Sequence, residues 1–175
     1  MNLRALLALL LPAFATMPAA AQEALPFELA AGELRVIHLW TTDAEGFVEA
    51  WAQPTPPTLE IGNSTIRNQP IQQFILYASC TRDEQGRCHL TARVTITAPD
   101  GTPYGEPMEF EALPLGPTAP AGAIGMAPHS IGLTIEDGEQ LGTYRVELTI
   151  TDEIGGVSAS NVAEIEVTES SEPTS

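Results

Sequence analysis

The chain has 175 residues, length for a single domain core, and a formal charge of −16 from seven basic against 23 acidic residues. A surface this negative repels nucleic-acid phosphates and anionic membranes, and suits cations, basic protein surfaces or plain solvation. Every basic residue is arginine, and the missing lysine removes P-loop phosphate binding and lysine Schiff-base chemistry.

The opening MNLRALLALLLPAFATMPAAA places Arg4 ahead of a short apolar run at 5–11 and ends in the small residues Ala19, Ala20 and Ala21. That is the pattern of a secretory signal peptide (1–21) cleaved near Ala21, and the run is too short for a membrane span. The expected location is the periplasm or the exterior, with no membrane span. Residues 22–57 read as an N-terminal arm packed on a sandwich. In it ELRVIHLW (33–40) has strand character, and TTDAEGFVEAW (41–51) reads as a short helix with Thr42 and Glu45 at capping-box spacing. PTPP (54–57) ends the arm, and 58–70 leads into the sandwich as its first strand.

From residue 71 apolar and β-branched residues recur at period two between turn dipeptides, which is the strand signature. IQQFILYAS (71–79) and HLTARVTIT (89–97) are expected as a hairpin. Asp100-Gly101 suits a tight turn, and YGEPMEFEAL (104–113), interrupted by Pro107, reads as an edge strand. The Pro-, Ala- and Gly-rich 113–128 stretch is expected as a long connection between sheets. Strands follow at 130–136, 143–151 and 157–167, and 169–175 is a polar tail. The fold class is therefore all-β: an immunoglobulin-like sandwich of about seven strands over 58–168, with an N-terminal arm containing a short helix.

Cys80 and Cys88 are the only cysteines and flank TRDEQGR. In an exported chain this spacing favours a disulfide across the expected hairpin, because C-x-x-C redox spacing and a four-ligand zinc set are both missing. The segment Phe74, Leu76, Tyr77, Ala78, Ser79, Cys80, followed by Gly86-x-Cys88 and by APDGTPY (98–104), resembles a group of uncharacterised exported bacterial proteins. Their last strands carry a G-x-Y-x-V pattern and a following Asp, matched by Gly142, Tyr144, Val146 and Asp152. The resemblance spans about 47–167. It implies a compact immunoglobulin-like β fold in the periplasm and implies no activity.

Among residues that bear chemistry, His129 and Ser130 adjoin on an expected strand, which turns them to opposite faces, and no G-x-S-x-G elbow accompanies them. Soft ligands for copper could come from His89, Met126 and His129, with Met108 nearby, although both cysteines are committed to each other. DEQG (83–86), EDGE (136–139) and TDEIGG (151–156) contain calcium-type oxygens, yet each also suits an ordinary turn. Trp40, Phe47 and Trp51 form an aromatic stripe that suits either partner docking or the covering of one sandwich face. The reading that follows is a non-catalytic exported binding or interaction module without a cofactor, taking a protein or small-molecule partner in the cell envelope. A periplasmic copper or calcium protein and a small hydrolase are the alternatives.

Overall fold

The computed structural model describes residues 28–54 and 60–170; the leader expected at 1–21 and the end of the expected tail lie outside the described residues. Among the described residues ten strands form two sheets, with one helix beside them: β1 (Glu28–Ala31), β2 (Leu34–Thr41), α1 (Ala44–Trp51), β3 (Ser64–Ile66), β4 (Ile71–Ala78), β5 (Arg87–Thr97), β6 (Met108–Pro117), β7 (Gly125–Met126), β8 (Ile131–Leu133), β9 (Gly142–Asp152) and β10 (Val157–Thr168). The first sheet runs β1-β2-β4, with β7 and β8 both paired to the far side of β4. The second runs β3-β10-β9-β5-β6. Hairpins β1–β2, β5–β6 and β9–β10, with the chain crossing between the sheets from β2 to β3, β3 to β4, β4 to β5, β6 to β7 and β8 to β9, give an immunoglobulin-like sandwich. Ten strands exceed the expected number through the short β1, β3 and β7.

Alternation in sequence sets which side chains meet between the sheets. Tyr144, Val146, Leu148 and Ile150 of β9 point inward with Leu90, Ala92 and Val94 of β5 and Ile165 and Val167 of β10. Thr143, Arg145 and Glu147 point out to solvent. At the start of β9 the Tyr144 hydroxyl donates to the Gln140 carbonyl at 2.8 Å, the back-bond of a tyrosine corner. Gly142, at φ 126°, packs on Pro99 as the chain enters the strand. Arg67 ties this end together: its guanidinium reaches the carbonyls of Glu136 and Glu139 and the Glu169 carboxylate.

Three expectations need correction. The segment expected as an arm supplies β2, which pairs with β4 from Arg35↔Ala78 to Thr41↔Gln72 and buries Leu34, Val36 and Trp40 between the sheets. It therefore belongs to the sandwich; with few apolar residues of its own, it is stabilised by sharing a core. The strands expected as one hairpin, β4 and β5, lie in different sheets. The Cys80–Cys88 disulfide forms, with Cα atoms 6.1 Å apart, but it ties sheet to sheet rather than strand to neighbouring strand. Lastly, β6 continues through Leu113 to Pro117, where composition suggested irregular chain, because Gly116 and Pro117 still find partners in Cys88 and Arg87. An edge strand tolerates proline, whose missing N–H is lost only from the open side.

Helix α1 starts one residue later than a Thr42 cap implies. Asp43 is the N-cap, its Oδ1 accepting from Gly46 N at 3.0 Å, and Thr41 Oγ1 accepts from Asp43 N. The helix lies on the outer face of the first sheet. There Phe47 stacks on Phe74 with centroids 4.2 Å apart and also against Trp51, over Leu39 and Leu76. No helix among the described residues is long and apolar enough to cross a membrane.

Candidate functional site

The two flanks of the sandwich differ. On one, β1 lies against β10 and β3 pairs in parallel with β10, so the sheets close on each other. On the other, β6 ends one sheet and the broken β7/β8 strand ends its partner, and a groove of about 490 Å³ lies between them. Met108, Phe110 and Glu111 of β6 line one wall; His129, Ser130, Ile131 and Gly132 line the other.

Sequence explains the break. β7 pairs as Leu76↔Met126, and β8 as Gln73↔Ile131, so two extra residues lie between them along β4. Ala127 still donates its N–H to Ile75 O at 2.8 Å, whereas Pro128 has none to give. The chain bulges at Pro128-His129. This carries the His129 ring into the groove, edge-on to Phe110 with centroids 6.5 Å apart. Ser130 is turned back toward the sheet, its Oγ accepting from Gln72 Nε2 at 2.7 Å. His129 and Ser130 thus line one groove, contrary to the opposite faces that strand alternation implies. Met108, 38 % exposed, forms an apolar lip, and Glu111, held 3.0 Å from His89 Nε2, a polar one.

The candidate copper ligands divide. His129 and Met108 share the groove and His89 stands behind Glu111, but Met126 packs on the outer face of the first sheet against the Phe47 and Phe74 cluster. Among the described residues no three of His, Cys, Asp and Glu come together as a metal-holding group. In each calcium-type turn one carboxylate is engaged by protein donors. Asp83 accepts from the Gln85 and Arg87 amides, and the Arg87 guanidinium holds its carboxyl below the usual range. Glu139 accepts from the Tyr104 hydroxyl and from Glu136 N. Burial, with Glu139 second, pushes the Tyr104 phenol up to about 12. The fully buried Asp152 accepts from Thr81, Ile154 and Gly155 amides at 2.7, 3.1 and 2.8 Å. It fastens the β9–β10 turn to the residue after Cys80.

The aromatic stripe is likewise not one surface. Trp40 faces the inter-sheet core at 2 % exposure, while Phe47 and Trp51 cover the outer face of the same sheet. The 113–128 segment is more exposed, with Leu115 and Ile124 half out. Its middle is tied down by Tyr77 to Thr118 and by Arg82 to the Ala119 carbonyl.

Sequence reasoning missed the core polar pair. His38 and Gln73 are wholly buried between the sheets, with Gln73 Nε2 2.8 Å from His38 Nδ1. Burial lowers the imidazole pKa to about 4. The signal was present: each polar residue occupies the inward register of an otherwise apolar strand, His38 in step with Val36 and Trp40, and Gln73 in step with Ile71 and Ile75. The other missed element is Phe110 as a groove residue, hidden within a strand that reads as weak.

No protein-family model matches the chain, and no curated protein matches it. Among solved structures it is similar to the CARDB domain of a Pyrococcus furiosus protein in complex with di-metal ions, at 18% identity over 61% of this chain and 86% of that one, with a TM-score of 0.38. It is also similar to the Pseudomonas fluorescens alkylpurine DNA glycosylase AlkC bound to DNA containing an abasic site analog, at 16% identity over 78% of this chain and a TM-score of 0.42. The chain spans 30% of the length of that glycosylase.

Proposed function

We propose that the protein is an exported, non-catalytic binding module of the cell envelope that takes its ligand in the groove between β6 and β8. The carrying observation is the groove itself. It has about 490 Å³ between two sheet edges, an apolar floor of Phe110 and Ile131, and polar groups from Glu111 and His129 at its sides. Sites for small molecules and peptide side chains have this size and this mix of apolar lining with a few polar groups. The disulfide supports export, since such bonds persist in oxidising compartments.

Two experiments test the reading. Fractionation with thiol trapping is expected to place the protein in the envelope with Cys80 and Cys88 oxidised and the N-terminus at Gln22; cytoplasmic protein with free thiols overturns the location. A photo-crosslinking residue at Met108 is expected to yield an adduct in intact cells that the same residue at Thr143, on the exposed outer face, does not. Identical patterns from both positions, or none, overturn the groove as the binding site.

A further inference from the structure

The edge of β6 carries the same reading further. β6 is the last strand of its sheet, and the outer side of its backbone has no partner strand among the described residues. Prolines at 107, 114 and 117 leave Met108 to Leu113 as a proline-free stretch. Such a stretch spans about 20 Å, and over its regular part, Met108 to Glu111, alternate residues direct both N–H and C=O outward. Natural sheets blunt or cover such edges. Here prolines blunt the ends and the middle stays open beside the groove.

Side-chain alternation over Met108 to Glu111 is two-faced, ahead of a bulge at which Ala112 and Leu113 are both buried. Glu109 and Glu111 stand on the outer face of the sheet and stay 67 % and 59 % exposed despite their contacts with Arg93 and His89. Met108 and Phe110 stand on the opposite side, in the groove, whose rim Glu111 also borders. A strand laid along β6 would set alternate side chains beside the two glutamates and over Phe110 and Ile131. Cross-strand neighbours of opposite charge stabilise and like charges destabilise. A second copy of this chain pairing β6 to β6 would bring Glu109 and Glu111 of both copies together, in a molecule already at −16. We infer that the β6 edge recruits an extended segment of a basic partner protein, alternating Lys or Arg with apolar residues, as an added strand whose apolar side chains fill the groove. This rests on the groove reading above and specifies its ligand.

The test pans displayed random peptides, each about ten residues long, against the disulfide-bonded protein, then titrates the enriched peptides and follows amide hydrogen exchange. Enriched peptides should alternate basic and apolar residues and slow exchange within 108–113. The E109K/E111K variant should bind them about tenfold more weakly, the effect of reversing two cross-strand charge pairs, with its unfolding midpoint unchanged. Peptides that compete at the groove and weaken with Met108→Asp, yet leave the 108–113 amides unprotected, overturn strand addition and leave the groove standing. No enrichment, or peptides indifferent to both variants, overturns both. A concentration-dependent dimer that protects 108–113 overturns the basic partner in favour of a second copy.

Discussion

His38 should make this protein's stability fall in mildly acidic solution. Its imidazole is enclosed by the inter-sheet core beside Gln73, and burial lowers its pKa from 6.5 to about 4. The folded-state value lies below the unfolded one, so the unfolded chain takes up the proton first as the pH drops. The stabilisation by neutral His38 is complete above the unfolded value and is lost as the pH falls from 6.5 toward 4. At about 1.4 kcal/mol per pH unit, lowering the pH from 7 to 5 costs about 2 kcal/mol, and the full window about 3 kcal/mol. Urea unfolding of wild type and His38→Gln at both pH values isolates this effect, because every other titration is common to the two proteins. With a urea slope of about 2 kcal/mol per molar, the wild-type midpoint should drop by roughly 1 M more than that of the variant. Parallel midpoints across the two pH values would refute the buried, neutral imidazole.

Replacing both cysteines with alanine, or reducing the wild type, should cost roughly 2–3 kcal/mol on the chain-entropy model, read as a lower urea midpoint; an unchanged midpoint argues against an inter-sheet tie. Tyr144→Phe removes the hydroxyl bond to the Gln140 carbonyl and should cost about 1 kcal/mol, a loss of about 2–4 °C in Tm by calorimetry. Asp152→Ala leaves the Thr81, Ile154 and Gly155 amides without their acceptor. A loss of about 3 kcal/mol with faster exchange at Thr81 is expected, and unaltered Thr81 exchange would count against this anchor. Gly125→Ala would place a Cβ 2.6 Å from the Tyr77 ring and should cost about 1–3 kcal/mol, with Tyr77 near-ultraviolet dichroism changed.

The strong strands were legible in the chain because their inward residues alternate without interruption. 143–151 and 157–167 correspond to β9 and β10 within a residue at each end, and 71–79 to β4. β6 was legible as an edge strand from Pro107 but not in its length, since Leu113 to Pro117 extend only because β5 is there to pair with them. Cysteine spacing announced the bond but not its geometry. Eight residues of separation suit a hairpin and a sheet-to-sheet crossing equally, and only the placement of β5 beside β9 decided between them. The aromatic stripe misled for a related reason. Trp40 lies on the strand and Phe47 on the helix that follows, and the change of period between them sends the rings to opposite faces of one sheet.

Sequence by itself determined the fold class and the cysteine pair, because alternation at period two and thiol spacing are local properties of the chain. It also determined the turn chemistry at Asp100-Gly101 and 152–156. The groove was decided by tertiary structure alone. Met108 and Phe110 are about twenty residues from His129 and Ile131 and belong to different sheets. They meet because one flank closes through β1, β3 and β10 while the other stays open, and because the bulge at Pro128 swings His129 toward Phe110. The burial of His38 beside Gln73 has the same origin: a polar side chain at an inward register is visible in sequence, but its partner is named only when β2 pairs with β4.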